Sequence, residues 1–320
     1  NNCDFDGAGV EYNTLSGGGV QITNCNFMTA NYGVYSFGGG NNVIRNNNFD
    51  NCRWGIAFTG AATNEAEIIG NYFNACDSSI YLMTGHFTAD GNRIRNSGGI
   101  IVVNPSARIM ITNNELTNIS GTAIYLRLNG AEANVCNNTI IGTSGDNTIA
   151  SGTAVADATD GDGIYVDDAG EGSNISGNRI TRIGTGGGSG TDSAADGIEF
   201  KNCTEYIHCN YNVIDFTDGD DMRALSTLQN SAYYVGLPYG VGSNTVDVIL
   251  ANGNIALCEE VDYHNHNGSR GDADDDDAFK GRLNIAGPES GGFPGEYINQ
   301  SYCTGSAWAS SWIDYDDNWD

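Results

Sequence analysis

The residues with most chemical potential are aspartates spaced one repeat apart. Asp162 and Asp196 each stand directly before a Gly-Ile pair, and Asp220, beside Asp221, holds the equivalent place in the string DGDDMRAL. Asp157, Asp160, Asp192 and Asp218 lie close by in sequence. Carboxylates stacked at strand spacing repel one another, so they need a counter-charge or a shared proton. A hard cation such as Ca²⁺ is one answer, with Asp157, Asp160, Asp162, Asp192, Asp196, Asp218 and Asp220 as its candidate ligands. A carboxyl pair acting on a glycosidic bond is another. Neighbouring coils would separate such a pair by roughly 5 Å, as retaining enzymes require, and alternate coils by roughly 9.6 Å, in the inverting range. The plain alternative is that these aspartates end turns and face solvent. The residues alone leave all three open.

What must position these aspartates is a short phrase, Asn-x-(Phe/Ile/Leu), with an aliphatic residue three places ahead of it. It reads Ile44-Arg-Asn-Asn47-Asn-Phe49, then recurs at Asn71, Asn92, Asn114, Asn138, Asn178 and Asn212, with Cys3 and Cys25 taking the asparagine place upstream. The intervals are 22, 22, 24, 21, 22, 24, 40 and 34 residues. A period of this size means stacked supersecondary units. A second anchor, a small residue before an aliphatic one, follows in each unit: Gly33-Val34, Gly55-Ile56, Ser79-Ile80, Gly99-Ile100, Ala123-Ile124, Gly163-Ile164 and Gly197-Ile198. Short β-rich runs, turns of Gly, Asn and Ser, and no helical periodicity make each unit one coil of a β-helix. Equivalent residues then stack about 4.8 Å apart. Phe5, Phe27, Phe49 and Phe73 should fill the interior as a ladder, and the asparagines should form a second ladder of amides at a tight turn.

These "GN-x-I" turns followed by "GI" strands resemble the right-handed parallel β-helix superfamily, which includes pectate lyases, polygalacturonases, phage tailspikes and NosD-like surface proteins. The resemblance covers about residues 1–225. It implies an all-β, right-handed parallel β-helix of about nine to ten coils, while the same coil serves enzymes, adhesins and structural proteins. The strings DGDGI, ADGI and DGDD resemble the Asp-bearing motifs of polygalacturonases, and by that likeness Asp162, Asp220 and Asp221 are the catalytic candidates. The family's Gly-His-Gly is missing, and so is its Arg-x-Lys, the nearest string being Phe200-Lys201.

Composition bounds the rest. The formal charge is −27, with 10 acids and 6 bases in residues 1–140 and 30 acids and 7 bases in 141–320. So acidic a surface repels nucleic acid and anionic membranes and favours cations. No run of 18 apolar residues offers a membrane span. Among nine cysteines, Cys3 with Cys25 and Cys52 with Cys76 share repeat positions in adjacent coils, which suggests two disulfides and an oxidising compartment. The resemblance implies a helical cap ahead of the first coil, and none precedes residue 3 in this sequence, so the cap is expected to be cleaved, left out or replaced by another subunit.

Organisation follows from the period. Residues 1–258 should form the β-helix, with corner loops at 141–162 and 183–196, and 259–320 an irregular extension with 14 acids against 3 bases. Trp308, Trp312 and Trp319 in that extension are candidate assembly anchors. The reading that gathers most of these features is a secreted extracellular structural protein that self-associates into a filament, sheath or surface layer, held by calcium and disulfides and without an organic cofactor. Kept beside it are a secreted polysaccharide hydrolase or lyase at the Asp162/Asp196/Asp220 corner and a glycan-binding adhesin.

Overall fold

The protein is described by a computed structural model, which covers residues 1–12, 18–60, 65–144, 161–181, 197–201, 203 and 207–214 in full, and the strand backbone alone at 64, at 215 and beyond. All regular elements among the described residues are strands. One coil shows the plan. Strand Gly40–Arg45 runs to a turn at Asn46, strand Asn48–Asp50 follows, a second turn at Asn51 leads to strand Trp54–Phe58, and the chain returns at Asn64–Ile69 above the start. Every pairing between coils through Asn284–Ala286 is parallel, and only Glu296–Ile298 and Ser301–Tyr302 pair antiparallel. The parallel β-solenoid expected from the period is therefore present, in the expected register.

The turns explain the phrase. The residue before each ladder position adopts left-handed φ: Asn24 at 54°, Asn46 at 56°, Asn113 at 57°, Asn137 at 58° and Tyr211 at 57°. Asparagine and glycine reach that region at least cost, so Asn-Asn and Gly-Asn precede the ladder. Behind the turn the ladder amides form one continuous chain of bonds. Asn47 Nδ2 donates to Asn71 Oδ1 at 3.0 Å, Asn71 to Asn92 at 3.1 Å, Asn92 to Asn114 at 3.0 Å, Asn114 to Asn138 at 2.9 Å, Asn138 to Asn178 at 3.0 Å and Asn178 to Asn212 at 3.0 Å. The second N–H of each amide meets an aliphatic residue's carbonyl, such as Ile44 O for Asn71 at 2.8 Å. Each Oδ1 also accepts the backbone N–H one coil down, as Asn71 Oδ1 does from Asn47. Buried amides that use both donors and accept twice leave nothing unpaired, which is what permits them inside.

Inside, the rings stack as the register requires. Phe5, Phe27, Phe49 and Phe73 pair in register, and successive ring centroids are 4.8, 4.9 and 4.8 Å apart. The column continues through Ile94, Leu116, Ile140, Ile180 and Ile214. This stack dictates the small residue of the second anchor. A Cβ on Gly33 would sit 2.5 Å from the Phe49 ring, and one on Gly55 2.7 Å from the Phe73 ring. Where the ladder residue is Ile94 or Ile140, the anchor is Ser79 or Ala123 instead.

Candidate functional site

The strands that carry Gly-Ile point alternate residues inward and outward, and the outward set is apolar or aromatic between a glutamate at either end. Glu11, Tyr35, Ala57, Tyr81, Ile101, Tyr125, Tyr165 and Glu199 stand in register on the side of these strands that faces away from the core, and of them Ala57, Tyr81, Ile101, Tyr125 and Tyr165 are buried. Trp54, Ala57, Tyr81, Ile101, Val103, Tyr125 and Tyr165 make a cluster separate from the core, with Tyr32, Tyr35 and Met83 packed against it. Tyr32 and Trp54 stack at 6.3 Å, Trp54 meets Tyr81 edge-on at 5.1 Å, and Tyr125 stacks on Tyr165 at 4.8 Å. Trp54 and Tyr81 form a buried floor, Tyr32 and Tyr35 are half-exposed, and Phe37 beside them is 56% exposed. The Tyr35 hydroxyl shares a 2.9 Å hydrogen bond with the Thr59 hydroxyl.

Two residues further along the same strands the outward row changes character. Met83, Val103, Arg127, Asp167 and Lys201 are in register, so cation, anion and cation follow one another up the helix. Arg127 Nε lies 3.9 Å from Asp167 Oδ2, and Lys201 Nζ stands 5.7 Å from the centre of the Tyr165 ring. A strip with aromatic edges at one end and alternating charges at the other can stack on apolar ring faces and bond hydroxyls. The signal was in the sequence: tyrosine follows the Gly-Ile type anchor at Tyr35, Tyr81, Tyr125 and Tyr165.

The sequence candidates fare differently. Asp162 is fully buried, accepts a hydrogen bond from Thr122 Oγ1 at 3.3 Å through its carboxylate, and accepts the Ala123 N–H on its carbonyl at 2.9 Å. Asp157, Asp160, Asp192, Asp196, Asp218, Asp220 and Asp221 lie outside the described residues, as do Trp308, Trp312 and Trp319. Among the described residues no three His, Cys, Asp or Glu side chains converge for a metal. His86, isolated in sequence, is exposed and in register with Glu65, and both line a shallow cavity of about 150 Å³ with Asn41, Glu67 and Thr88.

The disulfide expectation is corrected: Cys3, Cys25, Cys52 and Cys76 are all free thiols. In-register residues on parallel strands point the same way, so their Cβ atoms stay about 4.8 Å apart, whereas a disulfide needs about 3.8 Å. Cys25 instead ends the amide ladder, its N–H donating to Asn47 Oδ1 at 2.9 Å. A hydrogen bond between the Cys52 and Cys76 thiols holds Cys52 below the usual thiol range, while that bond and burial push Cys76 far above it. Burial pushes Cys203 up to about 12.

Comparison with known proteins agrees with this architecture. No curated protein matches the chain. Among solved structures, the crystal structure of bacteriophage CBA120 tailspike protein 3 aligns at 12% identity with a TM-score of 0.31 over 89% of this chain and 52% of the tailspike chain. The chain thus spans about half the length of that protein. The family described as a right handed beta helix region matches residues 8–231, and the chain belongs to it.

Proposed function

We propose that the protein is a glycan-binding β-solenoid that holds an extended polysaccharide lengthwise along the outer face of the Gly-Ile strands. The observation that carries this reading is the outward strip itself, running from Tyr32, Tyr35 and Phe37 to Arg127, Asp167 and Lys201 on strands locked in register. Aromatic edges supply flat apolar contact at low entropic cost, and the charged row supplies donors and acceptors for hydroxyls. The surface open to such a chain is at Tyr32, Tyr35, Phe37, Met83, Arg127 and Lys201, over a buried floor of Trp54, Tyr81, Tyr125 and Tyr165. The acidic surface suits a neutral polysaccharide better than a polyanionic one. Such polymers are met outside the cell, which fits the extracellular location expected from the sequence.

The test is affinity electrophoresis across a panel of neutral polysaccharides, followed by calorimetry on any that retards the protein. Tyr35→Ala should weaken binding about tenfold, equal to about 1.4 kcal/mol, and Lys201→Met should do so to a lesser extent, with circular dichroism unchanged in both. Retention by no glycan, or equal binding by both variants, would refute the reading.

A further inference from the structure

The outer strip has two ends of different character. Ser36, Phe58 and Leu82 share one inward register position, and the next residues, Phe37, Thr59 and Met83, stand on the outward side. Val103 follows Met83 in that row, and Arg127, Asp167 and Lys201 complete it. The row is thus apolar but for the Thr59 hydroxyl up to Val103, and charged from Arg127 on. Among the described residues the exposed large apolar side chains are Phe37, Tyr72 and Tyr211, and Phe37 is the one on this face. With half-exposed Tyr32, Tyr35 and Met83 around it, it makes an apolar patch of the kind that marks a binding site.

Two features decide what suits that patch. The rings of Tyr32 and Tyr35 lie 4.7 Å apart with a 47° tilt, and Tyr32 gives one of its faces to Trp54 at 12°. Rings tilted in this way present edges at an angle, not the level platform on which a whole sugar ring stacks. The hydroxyls at this end are also engaged, since Tyr35 and Thr59 bond each other at 2.9 Å. A sugar hydroxyl pressed against Phe37 and Met83 gives up water without gaining a partner, which is costly. A methyl group loses nothing by the same move and gains from burial. Sugars present methyl groups in two ways, as O-acetyl esters and as the terminal carbon of a 6-deoxyhexose.

On the footing of the glycan reading above, we propose that the strip selects a neutral polysaccharide with methyl-terminated substituents, O-acetyl or 6-deoxy. These seat at Tyr32, Tyr35, Phe37 and Met83, while free hydroxyls of the same chain meet Arg127, Asp167 and Lys201. Selection works by difference: the substituent gains apolar contact where a bare hydroxyl would be stranded. The formal charge of −27 disfavours acidic substituents in the same place.

The experiment measures affinity by calorimetry for two matched pairs of probes. One is acetylated glucomannan before and after mild alkali, which removes ester acetyl groups; the other is a neutral rhamnan beside mannan of the same linkage, its 6-hydroxylated counterpart. The proposal expects the methyl-bearing member of at least one pair to bind about tenfold tighter than its partner. A difference in the first pair assigns the site to esters, and in the second to deoxy sugars. Phe37→Ser should erase most of that difference, and Met83→Gln is measured beside it in case circular dichroism shows that the first variant misfolds. Equal binding within both pairs would overturn the proposal while the glycan reading stands, and so would a difference that persists undiminished in both variants. Binding of none of these polymers, nor of any other neutral glycan, would overturn both.

Discussion

Single residues divide into those whose side chain holds the coils together and those whose backbone angle turns them. Asn114 belongs to the first kind: its amide donates to Ala89 O and Asn138 Oδ1, each at 2.9 Å, and accepts from the Asn92 backbone and side chain. Asn114→Ala should cost at least about 3 kcal/mol in chemical denaturation, because it strands several buried partners at once. Asn113, next to it and exposed at φ 57°, belongs to the second kind, and Asn113→Gly should change stability by less than about 1 kcal/mol. Tyr12 offers a pH test at the same scale. Burial raises its hydroxyl from 10.0 to about 12. The protonated form is thus favoured in the folded state, so the contribution is whole below about pH 10 and is lost as pH rises towards about 12. Thermal melts across that window should show a fall in stability, of about 2 kcal/mol in order of magnitude, which Tyr12→Phe abolishes.

At the scale of the strand, two columns constrain each other. The ring of Phe73 occupies the space above Gly55, and a Cβ there would also approach Ser79 O at 2.6 Å. Gly55→Ala should therefore destabilise by about 1–3 kcal/mol. Phe73→Ile, which recreates the pairing of a small side chain with an isoleucine seen elsewhere in the column, should recover part of that cost in a double-mutant cycle. The repeat was legible from residue types because both columns face inward, where stacking forces like onto like: Phe27 onto Phe49, Asn71 onto Asn92. The outward strip is harder to read from sequence because Tyr35, Ala57, Tyr81 and Ile101 share a register position on one face rather than a residue type. The spacing of the cysteines suggests a pairing that the fold does not make, because register brings Cα atoms together without turning Cβ atoms towards each other. Of the aspartate corner, only Asp162 falls among described residues, and its burial beside Thr122 is a property of packing that no spacing reveals.

For the whole molecule, the solenoid acts as a ruler. Register survives both long interruptions of the period, since Ile124 pairs with Ile164 across 40 residues and Ile164 with Ile198 across 34. The outer face therefore keeps two parallel rows, from Tyr35 to Glu199 and from Met83 to Lys201, while the acidic charge falls mostly after residue 140. Stability that comes from stacking neighbours should rise with the number of coils rather than with any one contact. The most direct test of the account is hydrogen–deuterium exchange on the protein with and without the polysaccharide that retards it most in affinity electrophoresis. Added protection confined to Tyr32–Ser36, Trp54–Phe58, Ser78–Met83 and Ile164–Asp167 is the predicted result. Protection instead over Asn64–Ile69 and His86–Asp90, on another face of the coil, would contradict it.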